Sequence, residues 1–267
     1  GAFSLCEELE KTLSRTKENS DVWKLNNSDG FTEVSEDTKK IIEKSIYYSR
    51  LSGGKFDVTV YAVSSLWDFK NQVIPSRDEI AEALKNIDYE SIEIRETKVN
   101  TNGKQIDLGG IAKGYIADRV KEYLVSKDVK KGLINLGGDV VCFGDTYKIA
   151  IEMPFKGTSA AILKIKDKAV VTSGIYQRYI EKDGKYYHHI IDPETGYGAE
   201  TDLASVTVIG ESAFDCDALA TVCMLFGLEK GKDLIESTGA EAVFIDRKGE
   251  ITYTSGIFKK NGYLNIK

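Results

Sequence analysis

The segment that most restricts the fold is the nearly continuous apolar stretch Ala213–Phe226, which is followed directly by Gly227. Its length and composition predict an α-helix that ends at the glycine. Just before it, the alternating and largely β-branched sequence Leu203–Ile209 predicts a strand. A helix that is apolar on most of its surface has to be buried. We therefore expect polar residues of this helix, Asp217 among them, to be partly buried.

Two polar residues of this predicted helix, Asp217 and Thr221, are four positions apart and so lie on one face, one turn from each other. A carboxylate and a hydroxyl in this arrangement can bind a hard cation such as Mg²⁺, with phosphate and water oxygens completing an octahedron. In the structural alternative, Asp217 interacts with the helix dipole and Thr221 bonds back to a carbonyl. Because a buried carboxylate needs a partner, the apolar neighbours of Asp217 favour the metal site.

The only two histidines of the chain, His188 and His189, are adjacent and precede the turn sequence Asp192–Gly196. Neighbouring residues of a strand point to opposite faces, so at most one of these histidines faces a given site. Imidazole titrates near neutrality, which makes His189 a candidate general base. The alternative is a half-buried strand histidine that is bonded to a backbone carbonyl.

Glycine-rich junctions form a further group of candidates. In Asp107–Tyr115, two adjacent glycines come just before a helix that is predicted over Ala112–Ser126. Backbone amides at such a helix start can approach a phosphate closely, and Lys113 adds a positive charge. The alternative is a tight turn with a solvated lysine. Two strand ends, each a possible ligand contact, bulge or turn, share this ambiguity: Asn135–Asp139 and Thr172–Gly174.

The pair Phe56–Asp57 follows a Gly-Gly turn and offers an aromatic surface and a carboxylate to the edge of a base. The alternative is a strand whose phenylalanine belongs to the core.

Composition limits the class of protein. The 267 residues carry a net charge of −6 and the pI is about 5.2, which argues against a general nucleic-acid binder. No apolar run approaches the ~18 residues of a membrane-spanning helix, and none of the four cysteines has C-x-x-C spacing, so we expect structural thiols. Helices and antiparallel strands are interspersed without a βαβ repeat, which predicts an α+β fold with no clear domain boundary.

Taken in order, these motifs resemble those of the ApbE family of flavin transferases over about 200 residues. The motifs that match are Phe56–Val60 with Leu66–Trp67, Asp107–Tyr115, Asn135–Asp139, Thr172–Gly174, His189–Gly196 and Asp217–Thr221. Each is weak alone, but six in the family's order are specific. The resemblance implies mixed, largely antiparallel sheets packed with helices, related to the T-fold, in a single domain over residues 1–267.

The resemblance also implies an activity, which is the Mg²⁺-dependent transfer of FMN from the substrate FAD to a threonine or serine hydroxyl of an acceptor protein. A phosphoester bond forms and AMP leaves. The implied acceptor is a membrane redox subunit or a flavin-binding domain. Two alternatives stay open, namely an FAD pyrophosphatase that gives FMN and AMP, and a flavin-binding protein without catalysis. The Asp217–Thr221 pair and the base His189 argue against the last alternative, because flavin storage needs neither a metal ion nor a base.

Family positions assign roles to individual residues. The implied metal ligands are the Gly110 carbonyl, the Asp217 carboxylate and the Thr221 hydroxyl, and the implied base for the acceptor hydroxyl is His189. The implied FAD contacts are Thr16, Phe56, Asp57, Asp107, Lys113 and the backbone of Ile191.

The chain departs from the family in three respects. Thr16 stands where many members carry a tyrosine beside the flavin. The amino-terminal Met-Gly-Thr segment of the family is absent, so we expect the sequence to be shortened there. Many members are exported or anchored on the outer face of a membrane, and we expect the same location here although the sequence carries no such signal.

Overall fold

The structure is a computed structural model that describes residues 1–257 and 264–266. Its helices are α1 (Ala2–Leu13), α2 (Asp21–Asn26), α3 (Glu36–Leu51), α4 (Tyr61–Ser64), α5 (Arg77–Leu84), α6 (Ala112–Ser126), α7 (Ala213–Phe226) and α8 (Leu228–Thr238). Its strands are β1 (Thr32–Glu33), β2 (Glu93–Arg95), β3 (Lys98–Asn100), β4 (Gly132–Leu136), β5 (Asp139–Phe143), β6 (Thr146–Met153), β7 (Thr158–Lys166), β8 (Ala169–Gly174), β9 (Tyr179–Lys182), β10 (Lys185–His188), β11 (Leu203–Gly210), β12 (Glu241–Asp246), β13 (Ile251–Tyr253) and β14 (Leu264–Ile266). The predicted α+β class, with helices and antiparallel strands interspersed, is confirmed.

The chain divides into two compact units, which we call the first and the second unit. The first consists mainly of residues 3–112 and 178–199, and the second mainly of residues 113–177 and 200–257. The chain passes between them three times, so each unit is discontinuous in sequence. This explains why no single linker marks a boundary in the sequence. The expectation of one domain stays a prediction.

The first unit contains α1–α5, a three-stranded antiparallel sheet in the order β1-β3-β2 and the hairpin β9-β10. Two of its helices begin at serine residues that cap them. Ser76 caps α5 in a reciprocal capping box with Glu79, and Ser35 caps α3. A core cluster joins the hairpin to α4 and α5 and is formed by Val63, Trp67, Ile80, Ile180 and Ile191.

The second unit is built on a six-stranded antiparallel sheet in the order β13-β12-β11-β8-β5-β4. Helix α7 packs on β8 and β11, the strand predicted to accompany it, and α8 packs beside α7 on β12. Helix α7 has the predicted bounds and ends at Gly227, whose φ of 79° suits a glycine. A second sheet, in the order β14-β7-β6, shares a core cluster with the first.

In two segments the structure shows a short helix that the sequence patterns did not predict. The segment after Phe56–Asp57 is not a strand but a short 3₁₀ helix over Val58–Val60, which Asp57 caps by accepting the Thr59 amide. The hydrophobic segment near Val22 forms the short helix α2, capped by Ser20. In both places a side-chain cap decides the conformation, which hydrophobic alternation alone does not reveal. No described helix combines the length and hydropathy required to cross a membrane.

Candidate active site

The carboxylate of Asp217 is buried within the second unit, as its apolar neighbours predict, and only 3% of the residue is exposed. Its Oδ2 accepts the backbone N–H of Gly114, in the first turn of α6, at 3.0 Å. That amide is one of the helix-start donors that have no partner within their own helix. Burial raises the pKa of Asp217.

Asp139, the first residue of β5, is buried beside Asp217. Its Oδ1 accepts a hydrogen bond from Lys113 Nζ at 2.8 Å, whereas its buried Oδ2 receives none from a described N–H or hydroxyl group. Burial and, second, the charge of Asp217 raise the pKa of Asp139 to about 7. We call Lys113, Asp139 and Asp217 the acidic cluster. It holds two carboxyl groups against one ammonium group, so it has room for further positive charge.

The hydroxyl of Thr221 lies one turn of α7 beyond Asp217. It donates to the Asp217 carbonyl at 3.2 Å and lies 3.3 Å from Ser173 Oγ at the end of β8. The back-bonding of the structural alternative is thus present, but the hydroxyl oxygen keeps a lone pair for a cation. The glycine junctions that contain Asp139 and Ser173 therefore both lie at the predicted metal pair of α7.

Gly114 owes its place in the glycine-rich motif to packing. A Cβ atom there would lie 2.1 Å from the Ala213 carbonyl oxygen and 2.8 Å from the Cβ of Asp217. Side chains cannot approach so closely, so only glycine lets α6 cross the start of α7 at this distance. The same contact brings the Gly114 amide to Asp217.

The residues present suit a hard divalent cation. Two buried carboxylates with raised pKa values and an adjacent hydroxyl are oxygen ligands that Mg²⁺ prefers, and the cation would offset the charge of Asp139 and Asp217. Among the described residues, no group of three or more His, Cys, Asp or Glu side chains is arranged to hold a metal. The implied ligand set contains one acidic side chain, so it is not a group of that kind. Gly110 lies in the first unit, and its role as a ligand stays a prediction.

His188 and His189 occupy contrasting surroundings in the first unit. His188 ends β10, is 2% exposed, and places Nε2 3.1 Å from the Ala199 carbonyl oxygen. His189 is half-buried, and its Nδ1 lies 3.2 Å from the Arg178 carbonyl oxygen. That carbonyl can only accept, so Nδ1 carries the hydrogen and Nε2 is the basic nitrogen of the neutral ring. The Phe69 ring meets the imidazole edge to face at 6.5 Å between centroids.

The turn after His189 is held by Lys55, and we call His189–Gly196 the histidine loop. Lys55 Nζ donates to both carboxylate oxygens of Asp192, at 3.1 and 2.9 Å, and to Glu194 at 2.8 Å. These hydrogen bonds outweigh partial burial and raise the pKa of Lys55. The backbone of Ile191, an implied FAD contact, pairs with Gly198 in an isolated bridge.

The remaining implied FAD contacts also lie in the first unit. Asp107 accepts the Gly109 amide at 2.9 Å and pairs with Arg15 at 3.2 Å. The Arg15 guanidinium in turn lies over the Tyr61 ring, 5.0 Å from its centroid. Thr16 is exposed, with its hydroxyl 3.1 Å from Ser14 Oγ.

Phe56 and Asp57 are both buried. Phe56 is 6% exposed and packs edge-on against Tyr48, which is the core alternative for this ring. Asp57 Oδ1 accepts the amide and the hydroxyl of Thr59, and burial raises the pKa of Asp57. Their contacts with FAD stay predictions, and the structure gives each a structural role as well.

Sequence reasoning missed several side chains that shape these sites. Asp139 belonged to a quoted motif but was not singled out, although a carboxylate at the start of a strand was its signal. Ser173 also belonged to a quoted motif without being singled out, whereas Lys55 and Asp118 belonged to none. No spacing rule connects these three residues to their partners, which are 48 to 139 positions away.

Comparison with known proteins gives a consistent result. The model of the ApbE family matches residues 1–244. An FAD:protein FMN transferase of Treponema pallidum is 33% identical and covers 99% of this chain and 81% of its own length. An FAD:protein FMN transferase of Klebsiella pneumoniae is 34% identical, and the match covers 95% of this chain and 83% of that protein. The crystal structure of the ApbE protein of Thermotoga maritima superposes with a TM-score of 0.91 at 34% identity, over 98% of this chain and 90% of that one. The crystal structure of the Pseudomonas stutzeri flavinyl transferase ApbE, in its apo form, superposes with a TM-score of 0.87 at 30% identity. The match covers 98% of this chain and 87% of that one.

Proposed function

The chain belongs to the ApbE family, and on that premise we propose that it transfers FMN from FAD to a threonine or serine hydroxyl of an acceptor protein. The acceptor oxygen attacks the phosphorus of the FMN half of FAD. The bond from that phosphorus to the bridging oxygen breaks, and AMP leaves. The observation that carries the proposal is the buried acidic cluster, because phosphoryl transfer depends on positioning and on electrostatic stabilisation of phosphate oxygens.

Mg²⁺ is proposed to be held by the Asp217 carboxylate, the Thr221 hydroxyl and the Gly110 carbonyl. When bound, it supplies positive charge to the phosphate oxygens. The fit rests on the two buried carboxylates of the acidic cluster. Burial raises the pKa of both, and the charge of Asp217 adds to the rise for Asp139.

Two kinds of group are proposed to bind FAD. Lys113 donates to Asp139 at 2.8 Å, which holds its ammonium group beside the two buried carboxylates as a point charge for phosphate. Asp107 accepts the Gly109 amide and thereby shapes the glycine turn before α6, whose backbone amides suit an anion. Thr16, Phe56, Asp57 and the Ile191 backbone complete the proposed contacts.

His189 is proposed to take the proton of the acceptor hydroxyl. The Arg178 carbonyl fixes the tautomer so that Nε2 is the accepting nitrogen. Lys55 pairs with both Asp192 and Glu194, which holds the loop in shape, and its single positive charge reduces the negative charge around the imidazole.

The acceptor is proposed to be a membrane redox subunit or a flavin-binding domain, reached on the outer face of a membrane. FAD pyrophosphatase activity, with water in place of the acceptor hydroxyl, remains the second candidate, because the same residues serve both reactions. The half-buried His189 favours transfer, since a base within reach of a protein surface suits an acceptor side chain.

One incubation tests the proposal and separates the candidates. The protein is mixed with FAD, MgCl₂ and a candidate acceptor, and the products are resolved on a denaturing gel by flavin fluorescence and by chromatography of the nucleotides. Transfer gives a fluorescent acceptor band and one AMP for each flavin bound, and an acceptor whose target threonine is replaced by valine gives no band. Free FMN and AMP without a band would indicate hydrolysis. Intact FAD in every reaction would contradict both activities.

A further inference from the structure

Helices α6 and α7 hold each other through two reciprocal contacts. The carboxylate of Asp118, on α6, accepts the Ser212 hydroxyl at 2.8 Å and the backbone N–H groups of Ala213 and Phe214, both at 3.1 Å. One turn earlier on α6, the Gly114 amide donates to Asp217 of α7 at 3.0 Å. Gly114 and Asp118, four residues apart on α6, therefore contact Asp217 and Ala213, which are four residues apart on α7.

Each contact fixes a different degree of freedom of α7. The first N–H groups of a helix have no partner inside it, and Asp118 satisfies two of them while its charge suits the positive end of the dipole. This sets the position of α7 along its own axis. Gly114 sets the separation, because its Cα approaches the Ala213 carbonyl more closely than any side chain allows. Helix α7 cannot slide or turn without breaking one of these contacts.

We propose that Asp118 is a positioning residue for the metal site, because it determines where α7 presents Asp217 and Thr221. This inference rests on the proposed function, in which those two residues are metal ligands. Asp217 lies one turn beyond Ala213, and Thr221 lies one turn further, so a displacement at the start of α7 moves both oxygens. Mg²⁺ demands near-ideal octahedral geometry with oxygens at about 2.0–2.1 Å, whereas apolar packing of the helix tolerates small shifts. Metal affinity is therefore more sensitive to Asp118 than folding is.

The test is Asp118→Asn, which keeps the shape of the side chain but turns one acceptor oxygen into an NH₂ group that faces N–H donors. Mn²⁺, which takes the same oxygen ligands, is titrated into metal-free protein and followed by electron paramagnetic resonance, well below the unfolding temperature. We expect binding to weaken roughly 10- to 100-fold, the usual loss when a group that orients a metal ligand is removed. The Mg²⁺ concentration for half-maximal FAD cleavage should rise by a similar factor.

The matched control is Glu211→Gln. Glu211 is exposed, lies one residue before Ser212, and loses the same charge on substitution. It should bind Mn²⁺ as the wild type does. A purely structural role for Asp118 would lower the unfolding temperature of Asp118→Asn and leave the Mn²⁺ affinity of the folded protein unchanged, and that result would overturn the inference.

A second variant covers the case in which Asp118→Asn does not fold. Ser212→Ala removes one of the three hydrogen bonds to Asp118, so it should weaken Mn²⁺ binding in the same direction by a smaller factor, and unchanged affinity would again overturn the inference. A wild-type protein that binds no Mn²⁺ would overturn the metal assignment and this inference with it. One that binds Mn²⁺ with the expected loss in Asp118→Asn but transfers no FMN would contradict only the proposed function.

Discussion

The acidic cluster of the second unit and the histidine loop of the first both combine two carboxylates with one lysine, yet burial gives them opposite properties. Asp139 and Asp217 are buried and face each other, so the pKa of Asp139 rises to about 7. Asp192 and Glu194 are more exposed, and both pair directly with Lys55, whose pKa rises. Buried, incompletely neutralised carboxylates are prepared for a cation, whereas carboxylates already paired in partial contact with solvent serve to shape a loop.

The largest expected effect comes from removing the charge of the acidic cluster at α7. Asp217→Asn should reduce FMN transfer by about 10³-fold or more, because a metal ion stabilises charge in the transition state by several kcal/mol. Rates are measured at saturating FAD over a range of MgCl₂ concentrations. The control is Asp215→Asn, two residues earlier and about 200° around the helix. Near-normal activity of Asp217→Asn at low Mg²⁺ would show that the cluster does not bind the metal.

A substitution in the histidine loop should slow FMN transfer without weakening FAD binding. His189→Ala is expected to slow transfer by roughly 10²- to 10⁴-fold, the usual contribution of a general base, while fluorescence quenching still reports FAD binding. The wild-type rate should rise with pH as the imidazole loses its proton. A wild-type rate in His189→Ala would remove the histidine from the mechanism and direct attention to Asp192.

The adjacent histidine sharpens this prediction. His188 is the last residue of β10 and is buried with Nε2 at the Ala199 carbonyl, whereas His189 lies just beyond the strand, so His188 has a structural role. His188→Ala should therefore retain transfer when folded but lower the free energy of unfolding by about 1–3 kcal/mol, the cost of a buried group left without its hydrogen bond. Urea denaturation of the two alanine variants tests whether stability and rate separate between neighbours.

The raised pKa of Asp139 predicts a pH dependence of stability in the metal-free protein. Its folded-state pKa of about 7 lies above the ordinary 3.8, so the folded state binds more protons than the unfolded state between these values. The contribution of Asp139 to stability is therefore lost as pH rises toward 7, by at most about 1.4 kcal/mol per pH unit. Urea denaturation at pH 5, 6, 7 and 8 should show a shallower decline in Asp139→Asn.

Asp145 provides the control for this measurement. It is exposed, and its hydrogen bond with Lys131 lowers its pKa, so Asp145→Asn should leave the slope between pH 5 and 8 unchanged. If stability declined equally with pH in the wild type and in Asp139→Asn, the charges of Asp139 and Asp217 would already be balanced in the metal-free protein.

The smallest effect is expected at Lys55. Lys55→Met should lower the free energy of unfolding by about 1 kcal/mol, since partly exposed ion pairs contribute little, and should slow transfer less than tenfold by loosening the histidine loop. Lys85→Met, which removes an exposed pair with Glu82, is the matched control. If Lys55→Met slowed FMN transfer as much as Asp217→Asn does, the acidic cluster and the histidine loop would not differ in the way that their burial indicates.

Local elements were largely predictable from the sequence. Helix α7 has the predicted bounds because its apolar run and terminal glycine are local signals, and α6 agrees for the same reason. The 3₁₀ helix after Asp57 was not predicted as such, because a β-branched run is also typical of a strand and only the cap at Thr59 distinguishes them.

The candidate site was predictable as a set of motifs but not as a set of contacts. The spacing of Asp217 and Thr221 placed both on one helix face, and the burial expected for Asp217 is observed. The packing role of Gly114 was not predicted, because the expected phosphate turn rested on Gly109 and Gly110 and no local pattern marks a close helix crossing. Its neighbour Ala213 is 99 positions away by number and has no local signature.

The sequence by itself therefore determined the family, the α+β class and the identity of the residues that carry the proposed chemistry, since these depend on local composition and order. Only the tertiary structure decided that Asp139 lies against Asp217, that Lys55 pairs with both carboxylates of the histidine loop and that Asp118 holds the start of α7. The physical reason is that burial and long-range hydrogen bonds set the electrostatic state of each carboxylate. Those quantities depend on which distant segments pack together, and spacing along the chain does not encode them.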